Sequence, residues 1–541
     1  MIGVPDWMTD SGLDFFKSKY LYEATTPAEQ WLRIAKTLAR HMPDPAYWTG
    51  EFYELMWRGV YSCSTPCLAN CGTDRGLPVS CSGNYVDDSI DGFFNARREN
   101  ALLTKSGHGA SSYLGAIRPR GSAISKGGVA SGLITELIAQ RTIAQEISQG
   151  YTRRGSWAGY IPISHGDFWE AWHYIDKHPD DTNIGWNIHD EDIYRLEHAD
   201  YELSERWKSV LYLRLKYGRG YLFFPDKVNR RRPQWMVEHG LEVAASNLCT
   251  EITLPSTRKY TFSCVLGAIN LAADWKYEDF FTATVLLDCL ASEYLALIKG
   301  EPGFEKIYAF TRDFRALGLG VMGLHSYFQQ RWIDISSLAA HIRNKQLFEG
   351  AKAQAETASR YLAKIHGSPA LLEGTGLRNS HLLAMMPTVS TSEIMGGWSE
   401  GVNPIIVNVT GSKTNANGER FYVNPVLKTY LEDIHKWEPG VVGQIIEDHG
   451  SVGSLSFLNN EEKRMFRTGF EIPQADLLRL AAARQPYICQ AQSLNLHFSN
   501  YASEQDIAAL HRDAVLNPDI LSLYYVRTAN TPVPEQCTLC H

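Results

Sequence analysis

The chain has 541 residues, 44% of them hydrophobic and 21% charged, which is enough to fill a large core and excludes disorder of the whole. A formal net charge of -8 excludes a broad nucleic-acid-binding face, and Arg230, Arg231 and Arg232 ahead of Pro233 read as a solvated loop edge. The amino terminus lacks a secretory pattern, and the most apolar span, residues 280–298, carries Asp288 and Glu293. A cytoplasmic enzyme with no membrane segment is therefore expected.

In chain order, residues 26–57 read as helical, divided by Pro and Asp punctuation around residues 41–47 into at least two segments. Residues 78–86, 220–225, 248–255 and 521–526 read as strands or extended loops. Long helical patterns over residues 279–299 and 337–366 separate them, and the alternation implies an α/β architecture. The polar, Pro-containing stretch 528–535 marks the start of a mobile tail.

Ten cysteines are too sparse for a disulfide scaffold, so their uses are packing, metal binding or redox chemistry. In Ser246-Asn247-Leu248-Cys249-Thr250-Glu251-Ile252-Thr253-Leu254-Pro255, an extended chain points Asn247, Cys249 and Glu251 to one side. An amide, a thiol and a carboxylate together could hold and activate a small substrate; a polar strand face around a buried cysteine fits the spacing equally. Cys264 and Cys81 each follow a serine in a strand-like context, and taken singly both read as core residues.

In this order and with these residues the chain resembles ribonucleotide reductase large subunits, over residues 62–541. Asn247, Cys249 and Glu251 match that family's Asn-X-Cys-X-Glu finger loop. The resemblance implies that Cys249 carries a transient thiyl radical that takes hydrogen from ribose C3′, that Glu251 is the general base on the 3′-hydroxyl, and that Asn247 hydrogen-bonds the substrate. It implies that Cys81 and Cys264 are the dithiol that becomes a disulfide as the 2′-hydroxyl leaves as water. A dithiol supplies the two electrons such a reduction needs.

Residues Pro387, Thr388, Ser390, Thr391 and Ser392 form a hydroxyl-rich run entering a helix, which suits a phosphate; Ser390 to Glu393 also fits a capping box that merely starts the helix. The resemblance makes this the substrate-phosphate loop and adds Thr65, Ser80 and Gly109 to the substrate-binding set. Relatives commonly follow the loop with Glu-Pro, where this chain has Gly396-Gly397-Trp398 and then Asn403-Pro404. Adjacent Tyr524 and Tyr525 would face opposite ways on an ordinary strand and pack; the resemblance makes Tyr525 the outer and Tyr524 the inner relay of a radical arriving from a partner subunit.

At the terminus, Cys537 and Cys540 form a Cys-X-X-Cys pair that could bind zinc only with further ligands, His541 among them. The resemblance makes the pair a shuttle that reduces the Cys81–Cys264 disulfide and is reset by thioredoxin or glutaredoxin. Asp88 and Arg118 resemble contacts to a nucleoside triphosphate effector at a homodimer interface. Cys63, Cys67 and Cys71 receive no role beyond a weak metal-site alternative, and no metal site is assigned. No P-loop is present, so ATP hydrolysis has no support.

The fold implied is a ten-stranded α/β barrel of two five-stranded halves with a central cysteine finger loop. The expected division is a helical region 1–61, a barrel 62–528 and a redox tail 529–541. About sixty residues ahead of the core are too few for the family's ATP-cone. No cofactor is expected in the chain itself; the radical comes from a metal-containing small subunit. Tyr524-Tyr525 disfavours a cobalamin-dependent relative, the absence of a glycine-radical loop disfavours a glycyl-radical enzyme, and a nonenzymatic zinc-binding protein is the rival from another class.

Overall fold

The computed structural model describes residues 3–147, 155–180, 183–414 and 418–529. The amino-terminal region is helical, and its helices start where local chemistry dictates. Helix Pro27–Ala39 is capped by the Thr26 hydroxyl and helix Pro45–Trp57 by the Asp44 carboxylate, each with Pro in the first turn, the position where a missing N–H is harmless. A short strand, β1 (Tyr61–Cys63), leads into helix Thr65–Asn70.

The barrel begins with β2 (Cys81–Tyr85), β3 (Gly109–Tyr113), β4 (Ser156–Pro162), β5 (Asn183–Asn187) and β6 (Tyr221–Phe223). These five pair in sequence, all parallel, and helices cross between them, as parallel pairing requires. A second parallel set starts with β7 (Phe262–Asn270) and β8 (Leu317–Met322). Parallel bridges Leu319 to Leu383 and Met385 to Gln492 extend it. A hairpin of β9 (Val409–Thr414) and β10 (Gly418–Val423) lies off the barrel. The set ends with β11 (Leu496–Phe498) parallel to β13 (Val526–Thr528), preceded by β12 (Ser522–Leu523).

The two sets close on each other through antiparallel seams, β2 with β7 and β6 with β12. Among the described residues this is the expected barrel of two five-stranded halves. Its two strands around residues 382–385 and 490–494 are carried by single bridges and by bonds such as Met385 N–H to Ala491 O (3.1 Å) and Tyr524 N–H to Leu494 O (2.8 Å), not by regular ladders. Every residue of β7 is buried, the pattern of a strand covered on both faces.

The apolar helix Tyr277–Ile298 is long enough to cross a membrane, and here it packs against β7, β8 and helices Pro27–Ala39, Pro45–Trp57 and Leu338–His366. Its Asp288 is buried between two guanidiniums. Oδ1 accepts from Arg315 Nε (2.8 Å) and Asn379 Nδ2 (2.8 Å), and Oδ2 from Arg378 Nε (2.9 Å). Burial alone would raise the Asp288 pKa, but the charges of Arg315 and Arg378 outweigh it and hold the carboxyl well below the usual range.

Removing this charge strands two buried guanidiniums. Asp288→Asn is expected to destabilise the fold by about 3–5 kcal/mol in urea unfolding, the scale for breaking a buried pair. Because the folded pKa lies below the unfolded one, near 4, the stabilisation is complete above that pH and is lost as pH falls toward the folded value. A wild-type unfolding midpoint that does not move between pH 6 and pH 3 would contradict this account.

Candidate active site

The segment that enters the barrel centre is a turn, not the extended strand its alternating polarity predicts. Thr250 takes a left-handed φ of 68°, and its N–H reaches Asn247 O (3.3 Å). Asn247 Oδ1 accepts from the Ile252 N–H (3.2 Å), closing the turn from inside; short polar side chains compete with regular structure in this way. A β-branched residue in that conformation costs roughly 1–2 kcal/mol, so the turn must be held from outside.

Both halves of the barrel hold it. Tyr160 on β4 donates to Asn247 O and Ser111 on β3 to Ser246 O (2.8 Å). From the other half, Ser493 Oγ donates to Cys249 O (2.6 Å) and Ser522 Oγ to Thr250 O (3.0 Å). The turn converges Asn247 and Glu251 by a direct bond, Nδ2 to Oε1 at 2.9 Å, and Ser493 Oγ also reaches Glu251 Oε2 at 3.1 Å. Glu251 is 1% exposed. Burial raises its pKa to about 7 against the lowering effect of the Asn247 and Ser493 hydrogen bonds.

Cys81 and Cys264 stand directly opposite each other across the antiparallel β2–β7 seam. Such partners lie about 4.5–5.5 Å apart at Cα, inside the range a disulfide spans, and both are free thiols here. Asn247 Nδ2 donates to Cys81 Sγ (3.4 Å) and Gln490 Nε2 to Cys264 Sγ (3.5 Å). Burial pushes the Cys264 thiol up, with the Gln490 bond opposing it. Gly318 passes so close that a Cβ there would sit 3.0 Å from Cys264 Sγ, so only glycine leaves that sulfur its room.

Tyr524 Oη donates to Cys249 Sγ at 3.4 Å. The rings of Tyr524 and Tyr525 lie 4.0 Å apart at 49° and do not face opposite ways. The reason is that β12 ends before them and β13 begins after them, so strand alternation does not apply. Tyr221 on β6 joins them, its ring 4.8 Å from Tyr524 and its hydroxyl 3.4 Å from that of Tyr525. Arg527 covers the Tyr525 ring at 4.5 Å.

Residues Pro387, Thr388, Ser390, Thr391 and Ser392 are buried. The capping box from Ser390 does not form, because helix Val389–Ile394 starts earlier, with Thr388 at its N-cap in a left-handed conformation (φ 54°). Thr388 Oγ1 instead accepts from Gly401 N–H (2.7 Å) and meets Ser392 Oγ (2.9 Å). After this loop Gly396 and Gly397 adopt φ 113° and 76°, values that favour glycine.

Since the halves run antiparallel, the amino ends of β2 and β3, with Ser80 and Gly109, share one barrel end with the carboxyl end of the 382–385 strand that feeds this loop. Gly109 N–H is spent on Ser80 O (2.7 Å). The buried hydroxyls of Ser64, beside Thr65, and of Ser80 have no hydrogen-bond partner, which leaves donors for a ligand. Asp88 and Arg118 follow the carboxyl ends of β2 and β3, at the opposite end of the barrel, and pair with each other.

Cys63, Cys67 and Cys71 are buried thiols, and no group of three or more His, Cys, Asp or Glu among the described residues is arranged to hold a metal ion. Cys537, Cys540 and His541 lie outside the described residues. Tyr221, Gln490 and Ser493 escaped the sequence reading. Gln490, Gln492 and Ser493 stand as a polar cluster in an otherwise apolar strand, a signal that could have been used; Tyr221 gave none.

Two family models match nearly the whole chain: "Ribonucleotide reductase, all-alpha domain" over residues 7–76, and "Ribonucleotide reductase, barrel domain" over residues 79–200, 189–375 and 369–525. A ribonucleoside-diphosphate reductase large subunit of Invertebrate iridescent virus 3 is 26% identical over 98% of this chain and 97% of its own length. The large chain of Cryptosporidium parvum is 26% identical over 90% of this chain and 71% of its own. The solved structure of the Actinobacillus ureae class Id ribonucleotide reductase alpha subunit superposes with a TM-score of 0.90 at 34% identity, covering 98% of both chains. Matched from its helical region through its barrel, the chain belongs to the ribonucleotide reductase large-subunit family.

Proposed function

We propose that this protein reduces ribonucleoside diphosphates to 2′-deoxyribonucleotides, with Cys249 as the hydrogen-abstracting thiyl. The observation that carries the reading is the convergence of three sulfurs, a carboxyl and a tyrosine pair around one buried turn: Tyr524 on Cys249, Asn247 on both Cys81 and Glu251, and Cys264 across from Cys81.

The Cys249 radical takes the C3′ hydrogen, and Glu251 takes the 3′-hydroxyl proton. A carboxyl with its pKa near 7 can accept and return that proton close to neutral pH. The 2′-hydroxyl then leaves as water. Cys81 and Cys264 give up two protons and two electrons and join as a disulfide, one proton leaving in that water and the other, with both electrons, ending as the new C2′–H bond, and Cys249 returns hydrogen to C3′. Asn247 orients the substrate, Thr65, Ser80 and Gly109 contact it, and the loop of Pro387, Thr388, Ser390, Thr391 and Ser392 receives its phosphates.

The oxidising equivalent arrives from a separate, metal-containing small subunit through Tyr525 and then Tyr524. Cys537 and Cys540 reduce the disulfide and are reset by thioredoxin or glutaredoxin. Asp88 and Arg118 contact a nucleoside triphosphate effector in a homodimer. A reducing compartment, the cytoplasm or a host's cytoplasm for a viral enzyme, suits a chain whose eight described cysteines are all free.

The test is CDP reduction by the purified chain with dithiothreitol and an effector, alone, with adenosylcobalamin, or with a co-encoded small subunit. Turnover with the small subunit only is the expected result; turnover with cobalamin alone would remove the tyrosine relay. In the active pair, Cys249→Ser is expected to abolish product. Glu251→Gln should lower kcat about 10²–10⁴-fold, and the wild-type rise of kcat with pH through about 7 should vanish in that variant.

For the tail, Cys537→Ser with Cys540→Ser should block turnover driven by thioredoxin and spare turnover driven by dithiothreitol. Equal loss with both reductants would refute the shuttle.

A further inference from the structure

Reopening a Cys81–Cys264 disulfide requires one sulfur to take the attack and the other to leave, and the two ends of this bond are not alike. Cys81 keeps 8% exposure and Cys264 none. An incoming thiolate approaches in line with the S–S bond that it breaks. Beyond Cys264 that line runs toward β8, where a single carbon added to Gly318 would press on Leu266 Cδ2 and lie 3.0 Å from Cys264 Sγ and 3.2 Å from Ala384 Cβ, so that side is filled. Beyond Cys81 the line runs toward β3, where the in-register neighbour is Gly109, a residue without a side chain.

A thiolate at Cys264 would be a buried anion, and burial already pushes that thiol up against the lowering effect of Gln490. Gln490, itself 0% exposed, meets the sulfur with a donor that cannot turn away. Its Oε1 accepts the Thr253 N–H (3.2 Å), and its Nε2 donates to Leu317 O (3.0 Å) and to Cys264 Sγ (3.5 Å). A main-chain N–H can only donate and a carbonyl can only accept, so a flipped amide would lose both main-chain bonds at once. The Gln490 main chain is tied as well, its N–H to Leu383 O (3.2 Å) and its carbonyl to Gln485 Nε2 (2.7 Å). Two neighbouring amides are placed differently. Gln492 bonds Arg484, Ala481 and Gln485 through its side chain, and Asn247 Nδ2 is shared between Cys81 and Glu251.

We propose that Gln490 is a catalytic residue of the re-reduction step, holding a fixed N–H on Cys264 Sγ so that an incoming thiolate attacks Cys81 and Cys264 departs first. The inference rests on the dithiol reading above. In the first exchange a bond forms between the incoming sulfur and Cys81, the Cys81–Cys264 bond breaks, and Cys264 leaves with the electron pair as a thiolate bonded by Gln490. In the second, the other thiolate of the same reducing dithiol attacks the first sulfur, and Cys81 leaves toward the Asn247 amide. The reducing dithiol ends as a disulfide, having given two electrons, and the two protons it lost reach Cys81 and Cys264 through water. A donor already in place when the charge forms needs no rearrangement at that moment.

The experiment uses the full chain with its small subunit, CDP and an effector, and compares wild type with Gln490→Met, which keeps the side-chain length and removes the N–H. Two rates are read: the first turnover of pre-reduced enzyme with no reductant present, and the reopening of the resulting disulfide by dithiothreitol. Gln490→Met is expected to slow reopening about ten-fold or more and the first turnover by less than about three-fold; a residue that merely held the strands would move both together. Equal losses in the two rates, or reopening slowed by less than that, would overturn the proposal. The direction of attack is read with Gln490 in place. Oxidised chain carrying Cys537→Ser and Cys540→Ser is exposed briefly to mercaptoethanol, quenched with N-ethylmaleimide and mapped by mass spectrometry. Mercaptoethanol on Cys81 with Cys264 alkylated is the expected product; mercaptoethanol on Cys264 overturns the proposal, even where Gln490→Met does not fold. Enzyme that holds no Cys81–Cys264 disulfide after its first turnover removes the dithiol reading itself, while a disulfide that reopens in Gln490→Met at the wild-type rate removes only the role of Gln490.

Discussion

A polar turn cannot be carried through the middle of a barrel unless each of its peptide groups finds a partner, because an unpaired buried amide or carbonyl costs about as much as a hydrogen bond gains. Here the partners are hydroxyls sent inward from several strands. Tyr160 and Ser111 come from one half, Ser493 and Ser522 from the other. The left-handed Thr250 is held by this ring of donors, and the positions of Cys249 and Glu251 follow from it. The reactive groups are therefore placed by the closed barrel as a whole and by no single element.

Closure has a second consequence. The two parallel halves run in opposite directions and so meet through antiparallel seams, and the β2–β7 seam sets Cys81 against Cys264 although more than 180 residues separate them in the chain. The other seam, β6 with β12, brings Tyr221 under the tyrosine pair and lets helix Tyr201–Tyr217 present Arg214 to the Tyr524 carbonyl. One topological rule thus builds the dithiol on one side of the turn and the tyrosine cluster on the other, with Cys249 between them.

Much of this was legible in the sequence and some of it was not, for physical reasons. Capping residues and proline at Thr26-Pro27 and Asp44-Pro45 are local signals, so the amino-terminal helices could be read directly. The α/β alternation could be read from periodicity, but the strand count came only with the family resemblance, since the strands near residues 383 and 491 are bridges too short to leave a pattern. The finger loop misled: Asn247, Cys249 and Glu251 alternate as a strand does, and the turn that Asn247 closes from inside is held from outside by side chains more than 80 residues away in sequence. Tyr524 and Tyr525 misled similarly, because their alternation presumes a ladder that stops on either side of them. Arg214 looked like any helix arginine until tertiary packing buried it.

The state of the sulfurs ties these parts together. A thiol whose pKa burial pushes up, as at Cys264, keeps its hydrogen at neutral pH, which suits a group that must give hydrogen and electron together and does not suit one that attacks as a thiolate. The same property would slow the later opening of a Cys81–Cys264 disulfide, because a leaving sulfur of high pKa leaves slowly. The two amide donors bear on this second step. Asn247 aims an N–H at Cys81 and Gln490 aims one at Cys264, so whichever sulfur departs as an anion does so against a hydrogen bond already in place. Under the proposed chemistry, burial then serves the radical half of the cycle and the amides serve the thiol-exchange half. A single buried dithiol can thus take part in both without a cationic side chain bonded to either sulfur.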